Sequence, residues 1–342
     1  MRRETNIMKR ILGMIAATGV TVAIALPAQA VTELTVTTAL GTQHDQSKAF
    51  IATFMGKMKE DESLVKVKYL GGPEVTPNRK QGPAMKRGLI DIIMSPTTYY
   101  ANICPEARLT GISTVSPQEW RKNGGYDLMS KAWAKKMNAI ILGWGNFYTT
   151  EQFRIWTVDK PKLSKKTGID LTGIKVRTTP LYTPFFKAMG ATTKGISPAE
   201  VLTALDRGVV QGLAWPEGGV AFRGWQRKIR YTIFPGFFRS TTMATMNLDK
   251  FNSLPAKAQA QLRAAGLNYE NKSGQLLKKL AEVDNAKVYA AGVKKFHLPP
   301  EYAKAYSKTI YEAKWEHTKS KFTKNKETLD AFLLLKSKML VN

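Results

Sequence analysis

Residues Gly173–Ala191 read GIKVRTTPLYTPFFKAMGA. Ile174 and Val176 alternate with Lys175 and Arg177, the period of a half-buried strand, and Thr178-Thr179-Pro180 ends the run. A strand ending there holds Arg177 at its carboxyl end, where open α/β sheets present their ligands. What an arginine would meet at the mouth of that strand is the question from which the rest of the chain is read.

Upstream, ELTVTTAL (residues 33–40) is a strand rich in β-branched residues. SKAFIATFMGKMKE (47–60) comes next, with Phe50, Ile51, Phe54, Met55 and Met58 at helical spacing. VKVKYL then alternates as a second strand up to Gly71-Gly72-Pro73. Strand, helix, strand in this order predicts a βαβ unit and a mostly parallel sheet. Two thirteen-residue segments echo each other: AMKRGLIDIIMSP (84–96) and ALDRGVVQGLAWP (204–216). Each reads as the end of a helix, a glycine that stops it, a short strand and a closing proline. One copy in each half predicts two similar α/β lobes, with Ser95 and Trp215 at equivalent strand ends. Residues 256–293 are nearly continuous helix formers interrupted by Gly266 and Gly274, so one long helix or two nearly collinear ones are expected there. EYAKAYSKTIYEAKWEH reads as a further amphipathic helix, and the Lys-rich KSKFTKNKE after it as a solvated helix face.

The first thirty of the 342 residues are expected to stand apart from the fold. Basic residues Arg2, Arg3, Lys9 and Arg10 precede an apolar run, and Ala28-Gln29-Ala30 supplies an A-x-A cleavage pattern. The alternative is an uncleaved anchor helix, since Ile11–Leu26 is near the lower limit for a membrane span. On the leader reading the mature chain begins near Val31 and is exported. Cys104 is the single cysteine, which rules out an intramolecular disulfide; a buried hydrophobic role suits it better than a catalytic one. The net charge is +26, of which the first thirty residues carry +3. Such a charge attracts anions, but the lysines are dispersed and form no aromatic–basic motif, so a solvated surface around an acidic small molecule is expected rather than nucleic acid.

No two of His44, His297 and His317 have metal-ligand spacing, and no GxSxG, Walker or GxGxxG motif occurs. What remains is a ligand cleft. Arg177 and Arg154, the latter in the β-like EQFRIWT, each carry a fork that can grip a carboxylate through two charge-assisted hydrogen bonds; an ordinary surface or salt-bridged arginine is the competing reading for both.

From Gln152 to about Asn247 the order of FRIWT, DLTGIKVRTTP, FFKAMGA, AEVLTALDRGVVQG and AWP resembles the DctP-type substrate-binding proteins of tripartite ATP-independent periplasmic (TRAP) transporters. GTQHDQSKAF and GPAMKRGLIDIIMSPTTYYANICPEA extend the resemblance over nearly all of the mature chain. It implies an α/β, two-lobed periplasmic-binding-protein fold with a ligand cleft between the lobes and a long helix spanning both. The lobes would comprise residues 31–151 with 243–282, and 152–242 with 283–342, after a signal peptide of 1–30. Arg177 would be the carboxylate clamp and Arg154 the second cleft arginine, with Trp215, Ser95, Pro96 and Tyr100 facing the ligand and Glu74 at the rim. Trp215 stands where the family often has a polar residue, and Gln211 where it usually has Asp. A tryptophan there would narrow the pocket or stack on a planar ligand, with Tyr99, Phe147, Tyr148, Phe153, Trp156 and Phe237 as further aromatic wall.

The resulting expectation is a periplasmic protein that captures a small organic acid and delivers it to a TRAP membrane permease. It would need no enzymatic activity, nucleic acid, ATP, redox cofactor or metal-ligating residues for this. Monomer and dimer stay open, as do the identity of the acid and the help of a metal ion in binding it. A ligand-sensing role on the same fold and, further off, a periplasmic hydrolase are the alternatives.

Overall fold

The structure is a computed structural model that describes residues 31–342 apart from 150, 180, 181, 240, 241, 323–325 and 340–342. The leader expected at 1–30 lies outside the described residues, as does Pro180 of the turn after Arg177.

The chain opens as its pattern predicts. Strand β1 (Thr32–Thr38) leads into helix α1 (Asp45–Phe50), whose N-cap His44 accepts the N–H of Gln46 on Nδ1 at 3.2 Å. The helical segment does not run as one regular α-helix: a π-helical turn (Ile51–Met55) intervenes before Gly56–Lys59. Strand β2 (Val65–Gly71) pairs parallel with β1, and after helix α2 (Asn78–Lys86) strand β3 (Ile92–Ser95) joins the other side of β1, also parallel. Helix α3 (Gly125–Met137) then delivers β4 (Ala139–Gly145).

The chain crosses to a second sheet with β5 (Phe153–Thr157). A small hairpin of β6 (Lys162–Ser164) and β7 (Gly168–Asp170) precedes β8 (Lys175–Thr178), the Arg177 strand. Next come helix α4 (Thr183–Ala188), strand β9 (Thr192–Gly195), helix α5 (Val201–Asp206) and strand β10 (Gly212–Pro216), then β11 (Tyr231–Phe234). Strand β12 (Thr242–Asn247) returns to the first sheet. After a short helical segment (Leu248–Asn252) come the 35-residue helix α6 (Ala256–Ala290), strand β13 (Lys294–His297), and helices α7 (Pro300–Lys319) and α8 (Lys326–Met339).

Two sheets result, with orders β2-β1-β3-β12-β4 and β13-β11-β5-β10-β8-β9. One buried cluster belongs to the first sheet and one to the second, while a third runs through both and joins Ile93, Trp144 and Met243 to Ile155, Val176 and Ala214. The echo noticed in the sequence is a real local repeat: Arg87 and Arg207 end their helices, Gly88 (φ 75°) and Gly208 (φ 66°) turn the chain left-handed, and β3 and β10 come after them.

Helix α6 is one continuous helix of about 52 Å. Its first half lies on β4, the edge of the first sheet. There Glu270 Oε2 accepts the Trp144 N–H at 3.1 Å and Ser273 Oγ accepts the Asn146 N–H at 2.7 Å, so the helix takes edge donors that would otherwise invite another strand. Glu270 is 3% exposed and held by Arg121 through two bonds of 2.7 and 2.8 Å. Toward its C-terminal end α6 leaves this sheet for the other lobe, where Val288 joins Trp156, Leu213 and Trp225 in one cluster.

The Lys-rich stretch after α7 is not the solvated helix face its composition predicts. The helix ends at Lys319, Ser320 lies in the turn beyond it, and Phe322 is buried beside Phe332 of α8. One aromatic residue among the lysines outweighs their solubility by closing the space between α7 and α8. Helix α8 itself reaches the α3 side of the molecule, where Asn123 Nδ2 donates to the Lys338 carbonyl at 2.7 Å. Cys104 is fully buried beside Glu106, and burial pushes its thiol pKa up, away from nucleophilic use.

Candidate functional site

Strand pairing decides which side chains share the site. Trp215 of β10 lies opposite Arg154 of β5, and Leu213 opposite Arg177 of β8, while Ile155, Val176 and Ala214 face the other way into the larger core. Arg154, Trp215 and Arg177 therefore stand on one face of the second sheet.

Arg177 is 3% exposed. Its Nε donates to the Ile196 carbonyl at 2.9 Å and Nη1 to the Tyr182 hydroxyl at 3.2 Å. The Ile196 carbonyl is held in place by its neighbours: Ser197 and Glu200 form a reciprocal capping box that fixes the turn into α5. Arg177 has no acidic partner among the described residues, and Nη2 makes no bond within them.

Arg154 is differently occupied. It donates through Nη2 to Glu217 Oε1 at 2.8 Å and through Nη1 to the Glu151 carbonyl, and its guanidinium lies 4.4 Å from the Phe234 ring centre. Glu217 also accepts from the Tyr148 hydroxyl at 3.2 Å. Arg154 is thus one half of an internal ion pair, which answers the competing reading raised for it by the sequence.

Trp215 is half-buried, edge-on to Trp225 with ring centres 5.0 Å apart. Two guanidinium groups lie over its ring, Arg223 at 4.7 Å and Arg177 at 5.5 Å from the centre. The expected role, a shelf for a planar ligand, is here taken by arginines: the indole orients cations. Arg223 was not legible as a site residue, since one arginine among 52 basic residues has no distinguishing spacing. The same holds for Tyr182, which bonds Arg177.

From the first lobe, Ser95 is buried at the end of β3, with Oγ donating to the Pro96 carbonyl at 3.1 Å. Tyr100 is not a cleft wall. It is 1% exposed, packs against Gly82 and Trp133, and donates to the Asn78 carbonyl at 3.1 Å. Its neighbour Tyr99 takes that place, half-buried under Arg79 at 5.1 Å and close enough to Arg177 and Tyr182 to feel both; burial raises its phenol pKa. The 3-10 turn Thr97–Tyr100 sends adjacent tyrosines in different directions, which a residue-level motif cannot resolve. Glu74 is exposed and turned back on its own loop, accepting the Gly72 N–H at 2.6 Å; that bond holds its carboxyl pKa down. Of the other aromatic candidates, Trp156 is fully buried and Phe153 and Phe237 pack into the core, so they support the site from behind.

A cavity of about 290 Å³ adjoins Trp215 on the Arg223 side. It is lined by His44 and Lys48 of the first lobe, Trp215 and Arg223 of the second, and Leu277 and Asp284 of α6. Its wall after β10 is pinned by one carboxylate: Asp284 Oδ2 accepts the N–H groups of Val220 (2.9 Å) and Ala221 (3.0 Å), and Oδ1 that of Phe222 (3.0 Å). Three successive donors on one acid form a nest that fixes the loop carrying Arg223. Desolvation lowers the Arg223 pKa, with Asp45 and Asp284 acting against that shift and Arg177 adding to it. Burial likewise lowers His44 to about 3, helped by Arg223 and Lys48, so its Nδ1 stays free to cap α1. Burial also raises the Asp45 carboxyl.

The site is therefore a cationic, aromatic-lined cleft between two α/β lobes, with one buried arginine, Arg177, whose fork is not matched by an acid among the described residues. No helix among the described residues is long and apolar enough to cross a membrane. Solved structures share this architecture. A TRAP periplasmic solute-binding protein from Sulfitobacter sp. NAS-14.1 with bound β-D-galacturonate superposes with a TM-score of 0.72 at 16% identity, covering 90% of this chain and 100% of its own. The ectoine-binding protein TeaA of the TeaABC TRAP transporter, in its apo state, gives 0.75 at 19% identity over 90% and 99%. A TRAP protein from Desulfovibrio salexigens with bound orotic acid gives 0.73 at 14% identity over 90% and 99%. The fold is thus that of the two-lobed TRAP binding proteins, carriers of solute rather than enzymes. The sequence profile of the bacterial extracellular solute-binding proteins, family 7 (DctP), matches residues 36–321. The chain belongs to that family.

Proposed function

We propose that this protein captures a small organic acid in the cleft between its lobes and delivers it to a TRAP permease, with Arg177 holding the carboxylate. The observation that carries the reading is the state of Arg177. Ile196 and Tyr182 fix the guanidinium through Nε and one edge of Nη1, which leaves Nη2 and the second Nη1 hydrogen to receive two carboxylate oxygens. Hydrogen bonds of this charged kind contribute roughly 1.5–3 kcal/mol each. The galacturonate and orotate held by two of the structural neighbours are organic acids of this size class.

In this reading Arg154 acts at one remove, keeping Glu217 and the strand end beside Trp215 in place, while Trp215, Ser95, Pro96 and Tyr99 shape the walls. The lobes are residues 31–151 with 243–282 and 152–242 with 283–342, the last helix reaching back to the first lobe. Ligand closes them only by binding the closed state more tightly than the open one. Residues 1–30 act as a signal peptide removed on export to the periplasm, which mass spectrometry of the secreted chain checks directly.

The test is a thermal-shift screen of the chain from Val31 against 2-oxo, 2-hydroxy, dicarboxylic and aromatic acids, with Arg177→Ala in parallel. Native-state ligands raise Tm by mass action. An acid that stabilises the parent and not a folded Arg177→Ala variant supports both class and clamp. One that stabilises both equally removes Arg177 from the centre, and stabilisation only by non-acids overturns the class.

A further inference from the structure

A second cationic centre lies where the chain passes between the sheets. Arg239 sits between β11 and β12 and is 3% exposed. Its guanidinium lies between two aromatic rings, 4.8 Å from the centre of Trp144 and 4.6 Å from that of Phe147. Nη2 donates to the Val115 carbonyl at 2.5 Å, whereas Nε and Nη1 are buried with no acceptor among the described residues. A second basic group approaches from α7: Lys314 Nζ lies 4.6 Å from the ring centre of Phe238, the residue before Arg239, and burial pulls its pKa down to about 7, with the charge of Arg239 adding to the shift. Among the described residues no carboxylate is paired with either. The acid whose field reaches Arg239 is Glu119, and that carboxylate accepts the Ser116 N–H of its own helix cap.

A guanidinium cannot escape burial by losing its proton. The flanking rings act on its two faces, as cation–π contacts do; they leave the in-plane N–H groups without a partner. Buried donors without acceptors are costly, and more so on a charged group with a like charge nearby. A small anion in the guanidinium plane answers both needs at once: it accepts from Nε and Nη1 and separates Arg239 from Lys314.

We propose that Arg239 and Lys314 form an interior anion site for a small monovalent anion, a halide or a carboxylate of formate size. The site lies where two of the crossings between the sheets converge: Phe147 comes after β4 on the way to β5, and Phe238 and Arg239 come after β11 on the way to β12. An anion bound there ties the crossings together, and its presence sets how stiffly the two lobes are joined. The proposal does not depend on the identity of the acid in the cleft.

The direct experiment is diffraction from crystals of the parent protein grown with sodium bromide, and separately with sodium formate. An anomalous bromide peak, or a formate, in contact with Arg239 Nε and Nη1 supports the site and identifies which anion class it takes. Water alone at those atoms in both crystals overturns it. In solution, chloride is titrated at constant ionic strength against sodium methanesulfonate. The parent gains a saturable rise in Tm, Arg239→Gln loses it, and Lys314→Met shifts the chloride midpoint at least tenfold upward. An identical chloride response in the parent and in a folded Lys314→Met variant overturns the proposal even if Arg239→Gln does not fold.

Discussion

Glu217 Oε1 stands 2.8 Å from Arg154 Nη2, with both side chains largely buried, so the second arginine of the cleft is neutralised from within the chain. Removing one member of such a pair strands the other. Glu217→Ala should therefore lower stability by about 3 kcal/mol, near the low end for breaking a buried pair. Glu217→Ala combined with Arg154→Met should recover part of the loss. Urea denaturation of the four proteins of this cycle checks it; strictly additive losses would show that the pair does not couple.

The loop after β10 depends on Asp284 in a different way. Asp284→Ala removes the acceptor of three backbone N–H groups at once. Hydrogen exchange at Val220, Ala221 and Phe222 should accelerate about ten- to a hundredfold, the range given by the one charge-assisted bond of roughly 1.5–3 kcal/mol that each amide loses. Asp284→Asn keeps one oxygen and should give a smaller change. Exchange elsewhere in α6 should stay as it was.

Alanine normally stabilises a helix by about 1 kcal/mol over glycine. Here the sign should reverse at two positions of α6. A Cβ on Gly266 would lie 2.2 Å from the Leu142 carbonyl oxygen, and one on Gly274 1.8 Å from that of Phe147. Gly266→Ala and Gly274→Ala should each lower the urea midpoint, by an amount matching about 2 kcal/mol or more of overpacking strain. A rise in the midpoint at either position would refute this packing.

The acid limb of the stability curve should carry a contribution from His44. Its folded pKa, about 3, lies below the unfolded value of 6.5. Between those values the unfolded chain binds the proton and the folded chain does not, so stability falls as the pH drops from 6.5 to about 3. His44→Asn keeps an N-cap acceptor and removes the titration. Its stability measured at pH 7 and pH 4 should differ by less than that of the parent.

Much of this was legible in the sequence because it rests on local rules. β-Branched residues mark β1 and alternation marks β2 and β8; a glycine after a helix end marks the two repeated units; helix formers mark α6. The place of Arg177 follows from its strand alone. What the sequence hides is decided by partners distant along the chain. Arg154 meets Glu217 sixty-three positions later, and Asp284 meets Val220 across a similar gap. Tyr99 and Tyr100 differ only in which way a short 3-10 turn sends them. The misjudged Lys-rich tail shows the same limit, since the burial of Phe322 depends on α8 arriving to cover it.

The two glycines of α6 have a mechanical consequence. Gly266 and Gly274 are eight helical residues apart, about 12 Å. Their contacts on the neighbouring strand, Leu142 and Phe147, are five residues apart, roughly 16 Å if fully extended. Helix and strand run the same way, and the second contact is made just after β4 has ended. The first sheet and α6 are thereby keyed together like a shaft in its slot, and Phe147 is the clamped root of a cantilever. If the lobes close on ligand as proposed, bending should begin only beyond it, so spin labels on the first half of α6 and on β1 should keep a fixed separation while labels across the cleft report the ligand.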